Sequence, residues 1–538
     1  MIRRDTGRRS KVLGMAGLLA LTLLLQACAS GGNSGKSEAS PTTTPSASAS
    51  ESASASAEPG ASEETKLDPY EVTIVYFGKP QQDDALVEEK LNEFFTEKIN
   101  ATVKLQPIAS SEYKNRTELM MNAGEKMDLV FTASWLNYFG NVTKGAFLEL
   151  DDLLEKYGQG IKEELHPLYL EAPRMNGKLY AIPTNKEITQ GKAITYRKDF
   201  VEKYNIPIDT INSMADLEPW FEKVKADSPE TTNFFLAGGS GNFTSGFLMY
   251  EGQSNWRPIG PVPAKTPMFL LDYKATDMKV KSVLDPEIVD LNKKELELYR
   301  KYYEKGYINS DSGTSTTAID DYRKQGKIWT QTTTWKPGSD IELQIADNNQ
   351  FEYVSHVVEE PIVTTDLAAG SMFSISRTSK NPERAMMVLN YLHTDPYVIN
   401  LFVNGIEGKH YTKVGDNRIE PIADSGYSPG IFWVVGNQLK NYLKPGQPDD
   451  LYENWKKFNN EAKQFPLMGF VFDDTNVKNE ITQMTAVVNE YKVIFTGAVK
   501  NPSKELDQRN AKLKDAGIEK VQAELQAQID AWLAANKK

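Results

Sequence analysis

The pattern of apolar and polar residues divides the chain into three stretches. Residues 12–25 form an uncharged, mostly apolar run that follows five basic residues. Because a helix rises about 1.5 Å per residue, this run is too short to span a bilayer, and it is typical of a secretory signal peptide. Residues 29–66 contain no aromatic or large aliphatic residue. Such a segment cannot bury enough apolar surface to offset its ordering entropy, so the pattern predicts a disordered tether.

The third stretch begins near residue 67 with alternating strand and helix patterns. In order, the pattern predicts a strand at 72–77, a helix, a strand near 103–108, a helix at 113–122 and a strand at 128–131. This alternation indicates a parallel sheet with crossover helices. Since ligands bind beyond the carboxyl ends of strands in open α/β sheets, the loop 132–138 is a candidate site.

Further along the chain, a helix is expected over 296–306 and a strand over 371–377, followed by a capped helix. Apolar residues then recur at spacings of three and four from Val477 to Phe495 and from Ile518 to Trp532. Gly497 ends the first pattern, and Gly517 is a break just before the second. We expect amphipathic helices that pack on a core, with a surface for a partner helix as the alternative.

Composition narrows the class of protein. The 538 residues carry a net charge of −12, and loss of the signal peptide removes a net +4, which leaves about −16. An acidic chain is a poor partner for nucleic acid. Cys28 is the only cysteine, so no intramolecular disulfide can form. About 470 residues beyond the tether are enough for two domains.

The single cysteine has a distinctive position. Leu25-Gln26-Ala27-Cys28 resembles the lipobox of bacterial lipoproteins, in which the cysteine is diacylated, for example with palmitate, and becomes the new N-terminus. The resemblance implies a signal peptide at 1–27 and a lipidated Cys28 that begins the tether at 28–66. It also implies anchoring on the extracytoplasmic face of the cell membrane.

Several segments of the folded part carry a second resemblance. The segments 145–151, 176–183, 193–199 and 371–385 resemble the family 1 extracellular solute-binding proteins of ABC importers, of which maltose-binding protein is the type. The C-terminal part is similar to that of LipO-type lipoproteins with an extension. The implied fold is α/β and two-lobed, with a sheet flanked by helices in each lobe, a ligand cleft between the lobes and an extra helical C-terminal segment.

The resemblance also implies how the chain is divided and what it does. Lobe one would comprise 67–190 and 357–410, and lobe two would comprise 191–356 and 411–538. The protein would be a monomer without cofactor or metal that delivers a carbohydrate, expected to be an oligosaccharide, to the transmembrane subunits of an ABC permease. A peptide-binding receptor and a secreted glycan-active enzyme are the alternatives. No HExxH or EF-hand pattern is present, and the acidic doublets do not predict a converging catalytic pair.

Candidate ligand-binding residues follow from the predicted cleft loops. Sugars offer apolar C–H faces to aromatic rings and hydroxyl groups to polar side chains. The expected site consists of Trp135, Tyr138 and Trp335 as platforms, with Lys79, Asp83, Asn185 and Glu187 as polar partners. Trp256 and Trp433 are weaker candidates. For each aromatic residue, ordinary core packing is the alternative.

Overall fold

The computed structural model describes residues 67–233, 255–262, 266–317 and 319–536. The predicted signal peptide, Cys28 and the tether therefore lie outside the described residues. No helix within the described ranges is long and apolar enough to cross a membrane.

The helices and strands are numbered here in chain order. The helices are α1 (Asp84–Ile99), α2 (Tyr113–Ala123), α3 (Tyr138–Thr143), α4 (Asp151–Tyr157), α5 (Gln159–Glu164), α6 (Pro167–Glu171), α7 (Lys198–Tyr204), α8 (Glu218–Asp227), α9 (Pro286–Glu304), α10 (Ile319–Lys324), α11 (Ser339–Ala346), α12 (Thr365–Ala368), α13 (Pro382–Thr394), α14 (Pro396–Asn404), α15 (Leu451–Glu461), α16 (Lys478–Tyr491), α17 (Pro502–Asp515) and α18 (Ile518–Asn536). The strands are β1 (Tyr70–Phe77), β2 (Ala101–Ile108), β3 (Leu129–Thr132), β4 (Arg174–Met175), β5 (Lys178–Leu179), β6 (Ile182–Pro183), β7 (Gly191–Arg197), β8 (Trp256–Pro258), β9 (Phe269–Asp272), β10 (Val280–Ser282), β11 (Thr330–Trp335), β12 (Tyr353–Glu359), β13 (Ile362–Val363), β14 (Met372–Ile375), β15 (Tyr411–Lys413), β16 (Ile419–Pro421) and β17 (Lys463–Gln464).

The first sheet has the strand order β2-β1-β3-β14-β6. β1 pairs in parallel with β2 along its whole length and with β3 through Ile74 and Val75. α1 and α2 are the crossover helices between these strands, so the predicted strand and helix order is confirmed. β14 runs antiparallel to β3 and β6. The parallel strands bring the ends of β1 and β3 to the same edge of the sheet.

The second sheet consists of β11, β7 and β12, with β7 in the centre and both neighbours antiparallel to it. Its core is separate from that of the first sheet. Trp329 is fully buried there, its ring stacked on Phe200 at 5.8 Å between centroids. The indole N–H of Trp329 donates to the side-chain oxygen of Asn233.

A third core joins the small sheet β8-β9-β10 to the C-terminal helices. Met484 and Val488 of α16 and Ile518 and Leu525 of α18 are buried together with Phe269 of β9. The predicted amphipathic helices are therefore confirmed, and their apolar faces pack on a core. This core includes residues 268–283 as well as the C-terminal extension.

The distribution of buried residues corrects one part of the predicted domain division. Tyr427, Ile431, Val434 and Val435 belong to the core of the first sheet. The segment 411–538 therefore does not lie wholly with the second sheet, because the loop after β16 returns to β1 and α14. The other proposed boundaries stay a prediction.

Helix α9 begins ten residues before its predicted start. Asp285 accepts a hydrogen bond from the Ser282 N–H at 2.6 Å, and Pro286 occupies the first helical position. The buried face of α9 contains the polar residues Asn292 and Glu295. These residues interrupt the apolar pattern, which is why the sequence showed only the second half of the helix.

Candidate ligand-binding site

Three aromatic side chains lie together at the carboxyl edge of the first sheet, and we call Phe77, Trp135 and Trp433 the aromatic platform. Phe77 ends β1, and Trp135 lies in the short turn Ser134–Leu136 after β3. The ring centroid of Phe77 lies 5.7 Å from that of Trp135 and 5.6 Å from that of Trp433. Trp135 is 50% exposed. The platform therefore presents indole surface to solvent where a ligand of this sheet type would bind.

Hydrogen bonds fix the platform to the segment that contains α12. The indole N–H of Trp135 donates to the Gly370 carbonyl at 2.8 Å, and the Ser134 hydroxyl donates to the Asp366 carbonyl at 3.0 Å. The Ser371 hydroxyl donates to the Trp433 carbonyl at 2.7 Å. This segment connects the second sheet to β14 of the first, so the platform is attached to the link between them.

A cavity of about 410 Å³ is lined in part by this segment. Its lining comes from β8 and β9, from α9, from the chain between β12 and α12, and from the C-terminal extension. Thr364 and Leu367 are part of the lining. The cavity therefore borders the same short segment that holds Trp135.

A second link between the sheets carries a buried ionic cluster. Glu187 is 7% exposed and lies 2.9 Å from the ammonium of Lys186 and 3.5 Å from that of Lys336. Burial raises the pKa of Glu187, but the two ammonium groups outweigh this effect and lower the pKa to about 2. Lys336 also lies 4.3 Å above the ring of Trp455. The cluster joins the end of β11 and helix α15 to the chain between β6 and β7.

The chain matches known families over most of its length. Residues 90–403 match the model described as bacterial extracellular solute-binding protein, and residues 466–534 match a model described as a domain of unknown function (DUF3502). The chain belongs to the bacterial extracellular solute-binding proteins. A protein of Streptococcus pneumoniae serotype 4, described as a carbohydrate ABC transporter substrate-binding protein, is 30% identical over 86% of this chain and 90% of its own.

Solved structures of such solute-binding proteins share the fold. The N-glycan transport solute-binding protein NgtS of Streptococcus pneumoniae matches with a TM-score of 0.75 and 27% identity, over 87% of this chain and all of that chain. Its complex with Man1GlcNAc matches with a TM-score of 0.68 and 26% identity, over 86% of this chain and all of that chain. A protein of Bifidobacterium longum infantis, described as an HMO-binding solute-binding protein associated with an ABC transporter, matches with a TM-score of 0.58 and 16% identity, over 87% of this chain and 99% of that chain, which shows the fold alone.

One predicted platform residue of this solute-binding protein belongs instead to the core. Tyr138 is fully buried, its ring lies 6.1 Å from Phe147 in a stacked arrangement, and its hydroxyl donates to the Pro173 carbonyl. The prediction that Tyr138 offers a ring face to a ligand is therefore wrong. Because Tyr138 is the first residue of α3, the turn after Trp135 directs it into the protein.

The predicted polar residues Asp83 and Lys79 lie in the loop after β1. The carboxylate of Asp83 lies 2.8 Å from the Lys409 ammonium and 3.0 Å from Nε2 of His410. Hydrogen bonds from these two groups lower the pKa of Asp83. Nδ1 of His410 accepts from the Ile406 N–H, so Nε2 carries the proton that faces Asp83. Lys79 is exposed.

Asn185 and Glu187 lie in the chain between β6 and β7, and both contact other parts of the protein. The side-chain amide of Asn185 donates to the Glu164 carbonyl at 3.0 Å, and its backbone pairs with Gly436 and Gln438. One oxygen of Glu187 is buried without a hydrogen-bond partner among the described residues. The ligand-binding role of both residues stays a prediction, and their contacts in this structure are with the protein itself.

Trp335 and the two weaker candidates lie in three different places. Trp335 ends β11, is partly exposed, and contacts Phe458 edge-on at 5.8 Å between centroids. Trp433 belongs to the aromatic platform, and Trp256 lines the cavity. Their roles in binding stay predictions, as does that of Trp135.

Sequence reasoning did not find the polar residues of the cavity. Asn292 and Glu295 lie on the buried face of α9, and Arg509 lies on that of α17. Each is a polar residue at an apolar position of an amphipathic helix. This conflict is visible in the sequence. However, residues 292 and 509 are far apart along the chain, so the sequence does not show that they line one cavity.

Proposed function

We propose that this protein captures a carbohydrate outside the cell, expected to be an oligosaccharide, and delivers it to the transmembrane subunits of an ABC importer. The observation that carries this proposal is the aromatic platform with its half-exposed Trp135. Contiguous exposed apolar surface on a folded protein marks an interaction site or a ligand-binding groove. A sugar ring can stack its C–H face on such a surface while its hydroxyl groups bind polar side chains.

The relatives support the ligand class. One is described as a carbohydrate ABC transporter substrate-binding protein, and NgtS has been solved with Man1GlcNAc and with Man5GlcNAc. The chain covers nearly the full length of both relatives. Glycans that contain mannose and N-acetylglucosamine are therefore the first ligands to test.

We expect binding linked to domain closure rather than catalysis. The predicted lobe one, 67–190 with 357–410, carries Phe77 and Trp135 of the aromatic platform, and lobe two carries Trp335. A ligand that contacts both lobes stabilises their closed arrangement and shifts the population toward it. The closed form would then be the form that the permease recognises.

We further propose that Cys28 anchors the protein to the outer face of the cell membrane. One acyl chain gives only reversible attachment, whereas the two or three chains of a lipoprotein give stable attachment. By flexible-chain scaling, the 38 residues 29–66 reach roughly 35 Å, which holds the folded part clear of the membrane. We expect a monomer.

The proposal is tested by thermal shift of the purified protein against oligosaccharides and peptides, followed by calorimetry of every hit. A ligand that binds only the folded state at 100 times its Kd adds about 2.7 kcal/mol to the free energy of unfolding. We expect stabilisation by at least one oligosaccharide and no new products in chromatography of the incubated glycan. Stabilisation by peptides alone would favour the peptide receptor, and glycan turnover would favour the enzyme.

A further inference from the structure

The cavity beside α12 has the size and walls of a ligand site. Its volume of about 410 Å³ lies within the range of about 300 to 1,000 Å³ that small-molecule pockets occupy. Trp256, Met268, Leu270 and Phe495 contribute aromatic and apolar surface to its walls.

Three polar side chains in the lining have unused hydrogen-bonding capacity. Asn292, Glu295 and Arg509 are only 8%, 2% and 3% exposed. Within the described ranges, the amide of Asn292 has no hydrogen-bond partner, and Glu295 accepts only from the Tyr299 hydroxyl, at 2.6 Å. The guanidinium of Arg509 donates to the side chain of Asn510 at 3.0 Å, and no described carboxylate lies within 4.0 Å of it.

Incomplete hydrogen bonding is unfavourable for these buried groups. Buried polar atoms are almost always hydrogen-bonded, and a buried charge without a partner is costly. Burial raises the pKa of Glu295 to about 8, so this carboxyl is mostly uncharged at neutral pH. Burial lowers the pKa of Arg509 to about 10, so it remains a cation. The geometry therefore points to a polar molecule that completes these hydrogen bonds.

The combination of groups defines the chemistry of that molecule. A carboxyl and a guanidinium in one cavity need both a donor and an acceptor, and a sugar hydroxyl is both. The lining also contains Lys192, Arg257, Glu359 and Glu360, and Arg257 pairs with Glu359 at 3.4 Å. Because an ionised group of either sign would meet a like charge in this lining, an uncharged sugar fits it better than an acidic or an amino sugar. Trp256 can contact the C–H face of such a ring, whereas the Phe495 ring lies 5.4 Å from the guanidinium of Arg509.

The position of the cavity connects it to the aromatic platform. Leu367 lines the cavity, and its neighbour Asp366 accepts the hydrogen bond from Ser134 beside Trp135. The cavity and the platform therefore contact neighbouring residues of the same short segment.

We propose that one uncharged sugar unit of the bound oligosaccharide occupies this cavity and is hydrogen-bonded by Asn292, Glu295 and Arg509. This inference rests on the proposed function, since it requires a carbohydrate ligand. It adds a polar subsite formed partly by the C-terminal extension, because Arg509 lies in α17.

The test uses Asn292→Leu in the purified full-length protein. Because the amide of Asn292 has no partner in the described part of the protein, leucine removes no internal hydrogen bond, and the melting temperature is expected to stay the same or rise. The matched control is Thr330→Val, since the Thr330 hydroxyl is also buried without a partner but lies in β11, outside the cavity lining. Calorimetry with Man5GlcNAc, or with the uncharged oligosaccharide that binds best in the screen, gives the Kd.

We expect Asn292→Leu to raise the Kd roughly 5- to 150-fold and Thr330→Val to leave it unchanged. Arg509→Met should also raise the Kd. A wild-type Kd retained by both cavity variants would overturn the subsite and leave the proposed function intact. If the wild type binds only sialylated glycans, the inference that the sugar in the cavity is uncharged is wrong. If the wild type binds no glycan at all, the proposed function itself is wrong.

Discussion

Replacing Trp135 by alanine removes the most exposed member of the aromatic platform. Its ring contacts Phe77 edge-on at 5.7 Å between centroids and Trp433 at 6.4 Å, and its N–H donates to the Gly370 carbonyl. The truncation therefore affects both the folded protein and any sugar that stacks on the platform. The two effects can be separated because their magnitudes follow from different contacts.

The loss of stability follows from the buried half of the side chain. A fully buried tryptophan removes about 150 to 250 Å² from water, so Trp135 at 50% exposure removes about 100 Å². At about 25 cal/mol per Å² this is roughly 2.5 kcal/mol, and the hydrogen bond to Gly370 adds about 1 kcal/mol. The total is below the typical stability of a folded protein, about 5 to 15 kcal/mol, so the variant should still fold.

The loss of affinity depends on the stacked sugar. Truncation of an aromatic anchor in a binding site costs about 1 to 3 kcal/mol, which corresponds to a Kd raised about 5- to 150-fold. Trp135→Phe retains a ring and should retain most of the affinity, although it loses the hydrogen bond to Gly370.

The assay is calorimetry of Trp135→Ala with the oligosaccharide found by screening, at a temperature well below its melting point. Trp220→Ala is the control, since Trp220 is also partly exposed but packs against the core of the second sheet. If Trp135→Ala binds with the wild-type Kd while its melting temperature falls as calculated, Trp135 is structural only and the platform is not the site.

Three further predictions concern the anchor, the platform loop and the cavity. Cys28→Ser should release the protein from the membrane without changing its fold, and a signal-cleaved form of this variant that stays membrane-bound after a high-salt wash in cell fractionation would refute the lipid anchor. Gly436→Ala should lower the free energy of unfolding by roughly 3 kcal/mol or more, because φ is +57° and a Cβ would lie 1.9 Å from the Leu392 carbonyl oxygen. Chemical denaturation measures this, and Gly415→Ala, with φ of +77° but open space around it, should cost only about 1 kcal/mol; equal losses would contradict the clash. Because the pKa of Glu295 is raised to about 8 in the folded state, the wild type should lose up to roughly 4 kcal/mol of stability as pH rises from about 4.5 to 8. Glu295→Gln should lack this loss in denaturation at several pH values, and parallel pH profiles would refute the buried carboxyl.

Local patterns in the sequence determined the first sheet and the C-terminal helices. The strands at 72–77 and 128–131, the helix at 113–122 and the apolar stripes after 477 depend on residues that are neighbours along the chain. Periodicity of two or 3.6 residues records which face of such an element is buried. The placement of Trp135 in a loop at the edge of the sheet followed from the same patterns and from the rule for parallel strands.

Only the tertiary structure decided which side chains share a site. Trp433 joins Phe77 and Trp135 because the loop after β16 folds back on the first sheet, and no local pattern records that return. Tyr138 and Trp135 are three residues apart, yet one is buried and the other half-exposed, because the turn before α3 rotates one of them into the core. The cavity unites Trp256, Glu295 and Arg509 from three distant segments. Periodicity indicates that such residues are buried. Which residues they contact depends on packing between segments that are distant in sequence, and no local pattern records those contacts.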